Sequence, residues 1–335
     1  MILEVDNLQI HYSTRDGTAR AVDGASFVVP EGQIVGLVGE SGCGKTTAVR
    51  AIMGVLAENG RQAGGRVVFK GLAMDEATTR RLRWRDIAYV PQSAMSSLDP
   101  VYTVGSQLIE VMTKRGGFSR AAARARSVEL FDLVGLSERR LADYPHQFSG
   151  GMRQRAAIAM ALALEPSLLL ADEPVTALDV IVQRQILDVL RSLQQRLSLS
   201  MVLVTHDISV VAYLCDEVVV MYAGQVVESG PVREVLTRPR HPYTMGLRNA
   251  FPDLLSDALE LVPIGGRPPH LREPLSGCRF VPRCPFALPI CAIDAAMNGD
   301  GAHRSACRRD SEADALRTAA LDPRTWQRSS SFAMS

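Results

Sequence analysis

A short apolar run, QIVGLVGE (33–40), passes directly into the glycine-rich turn GESGCGKTT (39–47) and then into the helical pattern KTTAVRAIMGVL (45–56). Few features narrow a fold as far. A strand must end where a helix begins, and the loop between them must turn its backbone N–H groups inward. Gly39-Glu40-Ser41-Gly42-Cys43-Gly44-Lys45-Thr46 is a complete G-x-x-x-x-G-K-[ST] pattern in that setting. The inward N–H groups cradle phosphate oxygens, and the helix start adds partial positive charge. Lys45 can reach the β- and γ-phosphates, while the Thr46 hydroxyl, with Thr47 behind it, is placed to hold Mg²⁺. Cys43 occupies a variable position and reads as a small filler. The chain is predicted to bind a nucleoside triphosphate.

The same alternation extends to about residue 240. RVVFKG, DIAYVPQ, SLLLADEP and MVLVTHD are continuous apolar runs of the kind buried on both faces of a sheet. Helical segments GMRQRAAIAMALAL and VIVQRQILDVLRSLQQRL lie among them, which predicts an α/β core with a mostly parallel sheet. Residues 93–151 break the rhythm with the loop SAMSSLDPVYTVGSQLIE and the helix SRAAARARSVELFDLVG, and read as an inserted helical subdomain. EVVVMYAGQVVESG is expected to be a hairpin turning at Gly224. Beyond RPRHPYT the composition shifts to Pro, Gly and Cys, so a small second domain is expected over 241–325, followed by a frayed tail at 326–335. No internal repeat is evident.

Composition excludes several classes. At 335 residues, 47% hydrophobic and 22% charged, the chain is globular, and a net charge of +1 offers no field for nucleic acid. The start, MILEVDNLQIHY, lacks the pattern of a secretion signal. The apolar stretch AAIAMALAL is nine residues, far short of the ~20 needed to span a membrane. Any membrane role is expected to come through a partner.

LLLADEP ends an apolar strand in two carboxylates. Asp172 is placed to hold Mg²⁺ and Glu173 to polarise an attacking water. His206, ending the next strand in LVTHD, is a candidate contact to the γ-phosphate, although a lone histidine is more often structural. Ser149-Gly150-Gly151 opens a helix and offers a hydroxyl, free N–H groups and a positive helix end. It reads either as a second anion site or as an ordinary N-cap.

Together GESGCGKTT, FSGGMRQR, LLLADEP, TALD and VTHD resemble, in order and spacing, the nucleotide-binding subunits of ABC transporters, over about residues 2–240. The resemblance implies an ABC-type P-loop ATPase core: a RecA-like mixed sheet with helices and an antiparallel β edge. It implies a head-to-tail dimer in which each ATP lies between the phosphate loop of one subunit and Ser149-Gly150-Gly151 of the other. Glu173 then looks like the catalytic base, His206 like the switch histidine, and Gln92 like the glutamine that senses Mg²⁺ and γ-phosphate. Asp179 looks like the residue communicating across the dimer, and Tyr12 like the aromatic that stacks on adenine. The signature departs from the general L-S-G-G-Q in reading F-S-G-G-M; Met152 removes an amide but leaves the serine and both glycines.

SSLDPVYTVGSQLIE, YPHQFSGGMRQR, ALDVIVQRQIL, MYAGQVVESG and RHPYT resemble the oligopeptide/dipeptide importer branch, which also handles nickel and other small solutes. Import would then involve a second ATPase subunit, identical or paralogous, two membrane permeases contacted by the loop from Ser93 to Gln107, and an extracytoplasmic solute-binding protein. The chain would work at the cytoplasmic face of the cell membrane. A soluble ABC ATPase of translation or DNA repair is the alternative, but those usually carry two modules or a long coiled coil. A non-hydrolysing module conflicts with intact Glu173 and His206.

Four cysteines, Cys278, Cys284, Cys291 and Cys307, crowd the C-terminal segment with spacing C-x5-C-x6-C-x15-C. That spacing has no C-x2-4-C zinc pair and misses the common ferredoxin runs, so it names no ligand. The branch resemblance implies a [4Fe–4S] cluster on these four residues. Zinc, and disulfides or free thiols, stand as alternatives.

Overall fold

The computed structural model describes residues 1–92, 97–250, 263–272, 275–299 and 301–327. Residues 93–96, which open the loop expected to meet the permeases, and 328–335 of the tail lie outside the described residues. The strands are β1 (Leu3–Thr14), β2 (Gly17–Val29), β3 (Ile34–Val38), β4 (Gly60–Phe69), β5 (Leu72–Ala73), β6 (Ile87–Val90), β7 (Leu168–Asp172), β8 (Ser200–Thr205), β9 (Glu217–Tyr222), β10 (Gln225–Pro231) and β11 (Arg304–Ser305). The helices are α1 (Lys45–Ile52), α2 (Glu76–Leu82), α3 (Val104–Gly116), α4 (Arg120–Leu133), α5 (Gly150–Ala161), α6 (Val180–Leu197), α7 (Ile208–Leu214), α8 (Val232–Thr237), α9 (Pro242–Asn249), α10 (Ala313–Ala320) and α11 (Pro323–Gln327). The fold is mixed α/β, and the chain divides into two compact units.

The first unit comprises Met1–Ile2, Val29–Ile34 and Phe69–Val204. Strands β6, β7 and β8 run parallel, with Ile87 opposite Leu168 and Leu168 opposite Ser200. Every residue of β7 and β8 is buried, which explains why these runs show no polar alternation. Helix α6 buries Ile186, Leu187, Leu190 and Leu193, the stripe expected of a helix packed on one face. Helices α3, α4 and α5 begin at Thr103, Ser119 and Ser149, whose side chains accept backbone N–H bonds at the open helix ends. The region expected to be an insertion ending near Gly151 is thus helical, but its last helix continues to Ala161 and packs on α4 and α6.

The second unit comprises Leu3–Val28, Val35–Val68 and the chain from Thr205 onward. It contains a sheet with the order β2-β1-β4, and β3 paired in parallel with β9. Strand β9 returns antiparallel as β10, so the expected hairpin is present. Ala223 and Gly224 both have positive φ, 48° and 86°, the backbone of a two-residue turn that matches strand twist. Strand β11 then extends this sheet from the C-terminal segment, pairing Ser305 with Glu228.

The C-terminal segment, expected as a small second domain over 241–325, packs on this sheet. Phe280, Cys284, Leu316 and Trp326 share one core with Val38, Val218, Val220 and Tyr222 of β3 and β9. The physical reason is apolar area. A loop-rich segment with short helices has too little to bury by itself, so it completes its core on the sheet. Trp326 is buried in α11, and its indole N–H donates to the Ala320 carbonyl at 2.9 Å, so the expected frayed tail does not include Trp326. Glu228 of β10 pins the segment from inside. Its carboxylate, 0% exposed, accepts the backbone N–H groups of Arg240 at 2.7 Å and His241 at 2.9 Å, with His303 Nε2 at 2.7 Å.

Candidate functional site

The expected site residues divide between the units. The phosphate loop, Tyr12 and His206 belong to the second, while Gln92, Asp172, Glu173, Ser149, Gly150, Gly151 and Asp179 belong to the first.

In the second unit the loop leaves β3 at Val38 and enters α1 at Lys45. Gly39 and Gly44 have φ of 155° and 107°, and a Cβ on either would collide with a backbone carbonyl, of Met221 and Ala21 respectively. Glycine is therefore required at both positions, not merely tolerated. The buried Lys45 ammonium folds back to donate to the carbonyls of Gly39 at 2.8 Å and Glu40 at 2.9 Å, with Cys43 Sγ at 3.6 Å. Cys43 is buried, which pushes its thiol above the usual range, in keeping with a filler role. Thr46 and Thr47 lie half-buried in the first turn of α1. His206 is exposed just beyond β8. The Tyr12 ring lies against Gly60 of β4, where any side chain would strike it. This accounts for the glycine and places the ring as a packed, half-buried group.

In the first unit Asp172, wholly buried at the end of β7, accepts from the Tyr89 hydroxyl at 3.0 Å. Glu173 follows with φ of 48°, a left-handed backbone that non-glycine residues adopt at a cost of about 1–3 kcal/mol. Its N–H donates to the Val204 carbonyl, and its carboxylate accepts from Gln92 Nε2 at 2.8 Å and Thr176 Oγ1 at 3.0 Å. The structure thus brings together two residues assigned separately from sequence, Gln92 and Glu173. Ser149 caps α5 by accepting from the Met152 N–H at 3.3 Å, and Gly150 and Gly151 form its first turn. Gly151 is held close to Val182 of α6, whose Cγ1 would stand 2.5 Å from a Cβ there. Asp179 is exposed and caps α6 through the Val182 N–H at 2.9 Å.

The four C-terminal cysteines line one cavity of about 20 Å³, together with His241, Phe286, Arg308 and Arg309. Hydrogen bonds between backbone groups wind the segment around it, from the Cys278 N–H to Cys291 and from the Cys284 N–H to Val281. Burial pushes the thiols of Cys278 and Cys284 up, and that of Cys307 to about 12. Burial also drives His241, whose Nε2 lies 3.8 Å from Cys278 Sγ, down to about 3. Among the described residues no group of three or more His, Cys, Asp or Glu stands in ligating geometry. The donor set fits a soft, thiolate-bound group with two arginines to offset its negative charge. The space as shaped is that of about one water molecule, so an iron–sulfur cluster would need the loops to part.

Sequence reasoning missed the partners of the phosphate loop. Glu40 is held by Arg283 at 2.7 and 2.9 Å, and its N–H donates to the Tyr243 hydroxyl at 2.9 Å. No local signal could have found them, because Arg283 is 243 positions away.

Residues 22–176 match the ABC transporter family profile, and residues 227–291 match that of the oligopeptide/dipeptide transporter C-terminal region. The oligopeptide transport ATP-binding protein OppD of Salmonella typhimurium is 46% identical, over 87% of this chain and 88% of its own. The dipeptide transport ATP-binding protein DppD of Bacillus subtilis is 43% identical over the same shares. Among solved structures, a dimeric ATP-binding cassette in a post-hydrolysis state bound to ADP and Pi is 28% identical, with TM-score 0.61, covering 69% of this chain and 99% of that one. A cassette of a Clostridium perfringens ABC transporter complex is also 28% identical, with TM-score 0.63, covering 70% and 90%. Among the described residues no helix is long and apolar enough to cross a membrane. By its phosphate loop, its carboxylate strand end and these matches, the chain belongs to the ATP-binding proteins of the ABC transporter family, in the group with the oligopeptide/dipeptide C-terminal region.

Proposed function

We propose that the chain binds and hydrolyses MgATP to drive import of oligopeptides or dipeptides through an ABC transporter. The observation that carries this reading is Glu173. A carboxylate held on strained backbone by Gln92 and Thr176, directly after the buried Asp172, suits a base poised for an attacking water. Lys45 exchanges its loop carbonyls for the β- and γ-phosphates, and the loop N–H groups hold their oxygens. Thr46 of the second unit, and Asp172 and Gln92 of the first, carry oxygen ligands suited to Mg²⁺, which would supply charge neutralisation for the transferred phosphoryl group. Tyr12 stacks on adenine, and His206 contacts the γ-phosphate.

Ser149, Gly150 and Gly151 close on the ATP of a second ATPase subunit, copy or paralogue, in a head-to-tail dimer, with Asp179 communicating across it. Val180 and Ile181 beside Asp179 are apolar yet 82% and 73% exposed, which supports a covering partner there. Val101 and Tyr102, 72% and 56% exposed before α3, suit contact with two permease subunits at the cytoplasmic face of the membrane. The helical subdomain of about residues 93–151 would move under the control of Gln92, and an extracytoplasmic protein would deliver the solute. Proteoliposomes carrying the assembled transporter and its binding protein are expected to accumulate labelled peptide only with MgATP. Nickel uptake with no peptide uptake would sink the peptide assignment while leaving the ATPase intact.

Cys278, Cys284, Cys291 and Cys307 hold a [4Fe–4S] cluster in this reading, with zinc as the alternative. Convergence of the four thiols on one cavity supports it. A bound group would staple the loops as a structural cross-link. Anaerobically purified protein is expected to contain about four iron and four sulfide per chain. Stoichiometric zinc without sulfide would defeat the cluster.

A further inference from the structure

Glu40 presents a difficulty for a phosphate-binding loop. A carboxylate among N–H groups that cradle a polyanion repels the ligand they attract. Its environment resolves this. Arg283 meets both carboxylate oxygens as a fork, Nη1 to Oε2 at 2.7 Å and Nη2 to Oε1 at 2.9 Å. The Arg283 side chain is only 5% exposed. It is locked by the Gly265 carbonyl at 2.8 Å from Nε, by the Ile264 carbonyl, and by the Tyr222 hydroxyl. The Tyr222 and Phe280 rings lie 5.7 and 5.9 Å from the guanidinium. Tyr243, fully buried, accepts the Glu40 N–H and packs edge-on against Phe280. Two independent contacts from the C-terminal segment therefore hold one residue of the loop, one through its side chain and one through its backbone.

We infer that Arg283 and Tyr243 are positioning residues for the phosphate loop, and that the C-terminal segment sets the affinity of the loop for a nucleoside triphosphate by neutralising and orienting Glu40. The inference rests on the ATP reading above. Removing Arg283 leaves an uncompensated negative charge beside the triphosphate, whereas removing both charges restores neutrality.

The test uses the full chain, with binding read by a fluorescent ATP analogue and hydrolysis read in the assembled transporter. Arg283→Gln is expected to raise Kd and KM about tenfold, about 1.4 kcal/mol, with kcat changed much less. Arg283→Lys, which restores charge but not the fork, is expected to lose about threefold. Adding Glu40→Gln to Arg283→Gln is expected to recover most of the lost affinity, an outcome that a merely structural role would not produce. Unchanged Kd and KM in Arg283→Gln, or no recovery in the double variant, would overturn the inference. Where Arg283→Gln proves unstable, Arg283→Lys decides: weakened binding at an unchanged thermal midpoint supports the inference, and wild-type binding overturns it. A wild-type chain that binds no better than Lys45→Ala defeats the ATP reading itself, and the inference falls with it.

Discussion

Glu173→Gln is expected to lower ATP turnover by about 10²–10⁴-fold while leaving nucleotide binding in place. Glutamine keeps the length and planarity of glutamate but cannot take a proton from water. Its side-chain oxygen can still accept from Thr176, so the strained backbone at φ 48° stays supported. The phosphate loop itself is unaltered, and binding should be retained. The measurement is phosphate release at saturating MgATP beside analogue binding at equilibrium. Turnover within a fewfold of wild type would remove Glu173 as the base. Lost binding with lost turnover would make its role structural.

The second large effect concerns stability. Glu228→Ala is expected to destabilise the chain by about 3–5 kcal/mol, seen as a fall of roughly 5–15 °C in the thermal midpoint. The carboxylate is wholly buried and serves three donors at once: the N–H groups of Arg240 and His241, and the His303 ring. Alanine leaves those donors without an acceptor in a place water does not reach, and that desolvation dominates the cost. The loss should fall on the C-terminal segment first, because Arg240 and His303 tether it to β10. Differential scanning fluorimetry would check the midpoint, and a change under 2 °C would show that water replaces the carboxylate.

Much of this molecule could be read from local patterns. The phosphate loop was legible because its glycines answer to geometry within a few residues, and Gly39 and Gly44 do occupy left-handed backbone. Strands β7 and β8 were legible as unbroken apolar runs, and the hairpin as an apolar pair around Gly224. Gln92 and Glu173 were named from motifs, but their direct hydrogen bond was not, since 81 positions separate them. The packing of the C-terminal segment was not legible for a related reason. Its compositional shift is real, yet composition does not say which core a Phe280 or Trp326 joins. Nothing local marks Glu228, because its burial and its partners arise only once distant residues such as His303 arrive.

That late arrival bears on how the protein is made. The phosphate loop leaves the ribosome early, while the residue that neutralises Glu40 is synthesised 243 positions later. Contacts of such range form slowly and only after the intervening chain has emerged. A nascent chain stalled before Arg283 therefore presents an incompletely braced loop, and full affinity for nucleotide should come only once Arg283 has emerged. Translation itself would then hold ATP capture below full strength until the bracing residue is made.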